Sequence, residues 1–146
     1  MRRPGAAAGV LLALTLVGCD VPLTNDDLLL CNAARFVTAS IAGTQDALAI
    51  GEAGRPGEAA ERAVQALGLA EGAARTLHEV DQAAQADIAC VALLMAYEHA
   101  AQAARSLLPD LPDLRGSGDD AIAAARDALD EARLDLPPSC FVVPPG

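Results

Sequence analysis

Four cysteines stand at positions 19, 31, 90 and 140, and two histidines at 78 and 99. Acidic pairs occur at Asp26–Asp27, Asp119–Asp120 and Asp130–Glu131. These side chains could hold a metal, attack an electrophile or move a proton. Their spacing argues against each. No CxxC or CxxCH is present, so zinc, thioredoxin-like redox chemistry and covalent haem have no basis in the cysteines. Neither histidine belongs to an HxxxH, HExxH or ExxH pattern, and adjacent Glu98 and His99 would point about 100° apart on a helix. Asp26–Asp27 and Asp119–Asp120 fall where helices are expected to begin, where the dipole favours negative charge. No serine sits in a nucleophile elbow, and no glycine-rich loop follows a strand. The sequence therefore leads us to expect no catalytic residue, no metal site and no cofactor. The chemistry left is that of the cysteines themselves.

The elements that carry them follow from an unusual apolar content. The 146 residues, enough for one domain, are 53% hydrophobic but only 2% aromatic. Alanine makes up most of the difference, with 34 copies. Alanine has the highest helix propensity and lets helices approach closely. Strand formers never gather into a run of period two. The fold class expected is all-α, a small up-down four-helix bundle with an irregular, proline-rich C-terminal tail. All ten basic residues are arginine, and against 20 acidic residues they leave a net charge of −10. Such a surface repels phosphate backbones and anionic headgroups, which argues against nucleic acid as a partner. The bland role of that charge is solubility.

The first stretch, "MRRPGAAAGVLLALTLVGCD", has three parts. Arg2 and Arg3 are a positive start, Ala6 to Val17 an apolar run, and Gly18 a small residue before Cys19. About a dozen apolar residues fall short of the roughly 20 that a spanning helix needs. "LVGC" resembles the lipobox of bacterial lipoproteins, in which an aliphatic residue, two smaller ones and a cysteine close the signal peptide. The resemblance implies removal of residues 1–18, lipidation of Cys19, and a membrane anchor through N-terminal acyl chains such as palmitate. It also implies a location in the cell envelope, facing the periplasm or extracytoplasmic space. Asp20 slightly favours the inner membrane, since aspartate there resembles a retention signal of enteric-type bacteria. Two or three acyl chains hold a protein firmly where one does not.

After residues 19–24, the lipidated N-terminus and a short linker, residues 25–134 read as the bundle. Thr24 or Asn25 caps helix 1, which runs to about Ile50 with Leu30, Ala34, Val37, Ile41 and Leu48 on one face. "GEAGRPG" ends it. Helix 2 starts near Pro56–Glu58 with a seam of Ala60, Ala63, Leu67, Ala70, Ala74 and Leu77, and with Glu58–Arg62 and Glu71–Arg75 as i,i+4 pairs. With no proline between Pro56 and Pro109, helices 2 and 3 could be continuous. A compact domain needs a turn, however, and a break is expected near Glu79–Gln82, capped by Asp81, with helix 3 from Gln82 to Leu108. Helix 3 has one stripe at Ala89, Leu93, Ala96, Ala100, Ala104 and Leu107. A second group, Ile88, Val91 and Met95, lies well round the cylinder. A helix apolar on two sides is buried by neighbours on both, or offers one side to a partner helix or a ligand. "LPDLPDLRGSG" connects to helix 4, with Ser117 as cap and Ile122, Ala125, Leu129 and Ala132 as its stripe. Residues 135–146 form the tail, whose "CFVV" is expected to pack on the bundle.

If Cys19 carries lipid, then Cys31, Cys90 and Cys140 remain in an oxidising compartment. An up-down bundle brings all three to the end nearest the anchor. Cys31 lies on the polar side of helix 1, where a free thiol would be exposed, whereas Cys90 lies beside the buried stripe of helix 3. The expected bridge is Cys31–Cys140, with Cys90 as the alternative partner of either.

These readings converge on a membrane-anchored envelope lipoprotein acting without catalysis as a binding, structural or accessory subunit, with a protein partner in the envelope. The alternative is a carrier or sensor of a small apolar ligand between helices, lined by Leu93, Met95 and Tyr97.

Overall fold

The computed structural model describes residues 24–108 and 118–142. The expected signal peptide at 1–18, Cys19, Asp20, the linker to Leu23, the 109–117 connection with its expected Ser117 cap, and residues 143–146 lie outside them. Four α-helices follow one another: α1, Asn25–Glu52; α2, Pro56–Leu77; α3, Ile88–Arg105; and α4, Gly118–Ala132. Short 3₁₀ segments occupy Gln82–Ala86 and Pro138–Phe141. No strand occurs among the described residues, so the chain is an all-α small helical bundle.

α1 begins on a complete capping box. The Asp27 N–H donates to Thr24 Oγ1 at 3.0 Å, and the Thr24 N–H donates to Asp27 Oδ2 at 3.2 Å. Two donors that a helix start leaves orphaned are thereby satisfied. Gly51 to Arg55 close the far end, and Pro56 opens α2 at a position where its missing N–H costs nothing.

α1 and α2 form the most extensive helix pair, packed antiparallel. As the number falls along α1 from Gly51 through Gly43 to Phe36, the facing residue on α2 rises from Ala59 through Ala66 to Gly72. The approach leaves little room for a side chain at either glycine. A Cβ on Gly43 would lie 3.3 Å from the Ala66 Cβ, and one on Gly72 would lie 3.2 Å from the Phe36 ring. Ser40, fully buried, donates its hydroxyl to the Ala66 carbonyl at 2.7 Å and ties the two backbones together. The inner line of α2 is Ala59, Ala63, Ala66, Ala70, Ala73 and Leu77. This corrects the expected seam: Leu67 and the Ala60 and Ala74 positions sit on its flanks, half-buried. Only a methyl group fits between backbones this close, so alanine faces inward and leucine is displaced to the side.

The surface ion pairs also differ from expectation. Arg62 reaches Asp46 on α1 at 3.9 Å, and Glu58 pairs with Arg55 at 2.8 Å. All four side chains are well exposed, so each pair contributes little.

α2 stops at Leu77, opposite the start of α1. Residues 78–87 then form a longer connection than the break expected near Glu79–Gln82, and α3 begins at Ile88 rather than Gln82. Two contacts hold the connection. Val80 is buried in the core, and the Asp81 N–H donates to Asp26 Oδ1 on α1 at 3.2 Å.

α4 packs chiefly on α3 and only lightly on α1. Along the α1–α4 seam, Glu52 and Leu48 lie beside Asp119 and Ile122, and Thr38 and Ile41 lie beside Leu129 and Arg133. α1 has 28 residues and α4 only 15, a difference of about 20 Å at 1.5 Å per residue. The last turn of α4 therefore ends alongside Thr38, and the first turns of α1 extend beyond it. The tail fills that space: Leu136, Cys140 and Phe141 are buried against the bundle, while Val142 is exposed.

Because α1 and α2 meet through methyl groups, enlarging one should wedge them apart. Ala66→Leu is expected to cost about 1–3 kcal/mol of stability in denaturant unfolding, by overpacking. Val64→Leu, at a position 57% exposed one turn-face away, should stay within about 0.5 kcal/mol of wild type. Equal stability of the two variants would contradict the close approach.

Candidate functional site

The sequence singles out seven site residues: Cys19, Cys31, Cys140, Cys90, Ile88, Val91 and Met95. Cys19 lies outside the described residues. The other six gather at the end of the bundle where the chain enters α1.

Cys31 and Cys140 form a disulfide, with Cα atoms 4.9 Å apart and 109 residues between them in sequence. Cys31 is only 4% exposed, so the polar-side position inferred from helix 1 alone does not leave it in solvent. The tail covers it. α1 exposes this flank to α4 in its C-terminal half and to the Pro138–Phe141 turn in its N-terminal half. Pro137 and Pro138 keep that stretch out of an α-helix and aim Cys140 at α1. The Arg133 guanidinium stacks over the Phe141 ring at 4.8 Å, a second clamp on the tail. In the chain-entropy view, a loop of about 100 residues closed by such a bond adds about 4.7 kcal/mol.

Cys90 is a free thiol, fully buried in the first turn of α3. Sequence reading places it two turns into that helix, and the later start of α3 corrects the position. Burial raises its pKa above the ordinary thiol range, and the nearby Asp87 and Asp26 carboxylates raise it further. The folded chain thus keeps the Cys90 proton to higher pH than the unfolded chain does. The stabilisation linked to this is complete below the unfolded thiol's pKa of about 8.5 and fades as pH rises toward the folded value.

Ile88, Val91 and Met95 project from α3 into solvent, 62%, 45% and 47% exposed. Of the two readings of a helix apolar on two sides, burial by neighbours on both therefore does not hold. α2 and α4 flank α3 and α1 closes its inner side, which leaves its outer face open. Leu94, 37% exposed, joins the same face and was missed because the run "ALLMA" does not show which leucine points inward. The apolar character is confined to the first two turns. Further along the same outer face come Glu98, Gln102 and Arg105.

Ile88 also lines a cleft of about 400 Å³ with Asp27, Leu30, Asp87, Asp135 and Leu136. This cleft joins the start of α1, the start of α3 and the chain leaving α4. Asp26 belongs to the same end, since it accepts from the Asp81 N–H and acts electrostatically on Cys90. Among the described residues, no arginine forms an ion pair with Asp26, Asp27, Asp87 or Asp135.

His78 caps the end of α2 and is exposed, whereas His99 lies at the start of the fourth turn of α3, so the two histidines are not brought together. Among the described residues, no group of three or more His, Cys, Asp or Glu side chains is arranged to hold a metal ion. Leu93, Met95 and Tyr97 do not converge either. Leu93 is fully buried, Met95 faces solvent about 160° away, and Tyr97 is half-buried between them. No helix of the described residues is long and apolar enough to cross a membrane. No protein-family model matches the chain, and neither the curated proteins nor the solved structures contain a significant match.

Alkylation with iodoacetamide at pH 8 should separate the two classes of cysteine. Native protein is expected to resist labelling over minutes. In denaturant without reductant, Cys90 should take up one label and the Cys31 and Cys140 peptides should remain joined. Labelling of native Cys90 at the rate of a free cysteine, or a joined peptide containing it, would contradict the arrangement.

Proposed function

We propose that the chain is a lipoprotein of the bacterial envelope, anchored through Cys19, whose helical domain serves as a non-catalytic accessory subunit for a protein partner at the membrane. The observation that carries this reading is the short distance between lipobox cysteine and fold. Four residues, Asp20 to Leu23, separate Cys19 from Thr24, the cap of α1. Even fully extended, five chain steps reach about 18 Å. A domain so tethered is held with the α1 start, the 78–87 connection and the tail turned toward the bilayer.

Several features support an accessory role over a reaction. The helices close on each other through alanine, which leaves little room for an enclosed substrate. The clefts along the α1–α4 seam are open, and each has an arginine on its rim. Among the described residues, the exposed face of α3 is an apolar surface open to a partner. The disulfide suits an extracytoplasmic location, since such bonds persist in oxidising compartments.

The intact mass of the full chain produced in a bacterial host tests this reading. It should match a chain beginning at Cys19 with two or three acyl chains, one disulfide and one free thiol. Cys19→Ala should abolish labelling by radioactive palmitate and leave the precursor uncut. Persistent labelling, or a chain starting elsewhere without lipid, would overturn the anchor. A small apolar molecule retained at one per chain in the native mass would instead favour the carrier.

A further inference from the structure

We infer that the outer face of α3 docks a basic amphipathic helix of a partner protein, with Ile88, Val91, Leu94 and Met95 as the apolar seat and the surrounding carboxylates as its electrostatic frame. The inference rests on the accessory-subunit reading above and names the chemistry of the partner.

Ile88, Val91 and Met95 follow the i, i+3, i+7 spacing by which one helix presents a ridge to another. Leu94 widens the ridge on one side. From Ile88 to Met95, eight residues and seven rises of 1.5 Å, it is about 10 Å long, enough to seat two turns of a partner helix. Neighbouring elements of the bundle leave this face open.

Charge selects among the occupants. Asp87 immediately precedes the ridge, Glu98 follows it on the same face, and Asp26, Asp27 and Asp135 gather at its base. Among the described residues, none of these five carboxylates is matched by an arginine. A second copy would set these carboxylates against their own kind, a cost that disfavours patch-on-patch pairing. Anionic headgroups meet the same repulsion. Among the described residues, the ridge also has no tryptophan, and no lysine or arginine beside its apolar residues, the side chains by which helices settle into a bilayer interface. A helix with an apolar stripe flanked by lysine or arginine satisfies both the ridge and the frame. Fixed near the bilayer by its tether, the ridge is presented to segments of envelope proteins close to the membrane surface.

Site-specific photo-crosslinking in cells tests the assignment. A photoreactive amino acid is placed at Val91 of the full chain, with Gln102, exposed beyond the ridge on the same helix, as the comparison site. The Val91 probe should link to a segment that has apolar residues at i, i+3 or i+4 and i+7 and at least two lysines or arginines within a turn of them. The yield should fall at least fivefold in the Asp87→Asn, Glu98→Gln double variant, and the Gln102 probe should give a far lower yield. A phospholipid adduct, an adduct to a second copy, a linked segment without basic residues, or no adduct would each overturn the inference. Acylation of Cys19 is measured on the same sample. An acylated chain without the expected crosslink sinks the inference and leaves the anchor standing, whereas an unacylated chain that gives the crosslink does the reverse.

Discussion

An alanine core stabilises a bundle only if the helices come almost into backbone contact, and that closeness governs the rest of this molecule. A buried methyl group contributes on the order of 0.8 kcal/mol, well below a leucine or phenylalanine. The chain compensates with number and proximity. Ala59, Ala63, Ala66, Ala70 and Ala73 form one unbroken line on α2, and Gly43, Ser40 and Phe36 on α1 are shaped to receive it. α1 and α2 thus make a long, thin hairpin on which the shorter α3 and α4 are laid.

The difference in length has a consequence. α4 is spent by Thr38 of α1, so the hairpin would protrude with its apolar flank uncovered. A fifth helix is not used. The proline-rich tail, too irregular to pack by periodicity, is brought down by a disulfide, by Phe141 under Arg133, and by the buried Leu136. The covalent bond replaces the packing that a longer α4 would have supplied. It also brings the α1 start, the α3 start and the tail to one end, where Cys90 is enclosed and the acidic frame forms.

Much of this could be read in the residues, and the misreadings share a cause. The faces of α1 and α4 were mostly legible from Leu30, Val37, Ile41, Ile122 and Leu129, although Leu48 proves only half-buried and Leu28 points outward. Counting helices brought Cys31, Cys90 and Cys140 to one end; the choice of Cys31–Cys140 rested on placing Cys31 on the polar side of its helix, where the tail in fact covers it. The α2 seam was misphased because alanine occurs at positions 59 and 60 and again at 73 and 74, so periodicity alone cannot choose between them. The start of α3 was placed early because "DQAAQAD" has ordinary helical composition. Its departure from the helix goes with a tertiary contact, the Asp81 N–H on the Asp26 carboxylate of α1, which composition does not encode. Whether Ile88, Val91 and Met95 would be covered depends on how many neighbours α3 acquires, which hydrophobicity along a single helix does not encode.

The central claim is that the stapled tail completes the bundle where α4 ends, and amide hydrogen exchange before and after reduction of Cys31–Cys140 tests it most directly. Breaking the bond lowers protection everywhere, because the unfolded chain regains conformational freedom. The decisive quantity is the difference between the two halves of α1. In the oxidised protein, amides of residues 29–38 and 41–52 should be similarly protected. After reduction, residues 29–38 should exchange markedly faster than 41–52, which α4 still covers. Equal loss of protection along the whole of α1 would contradict the claim.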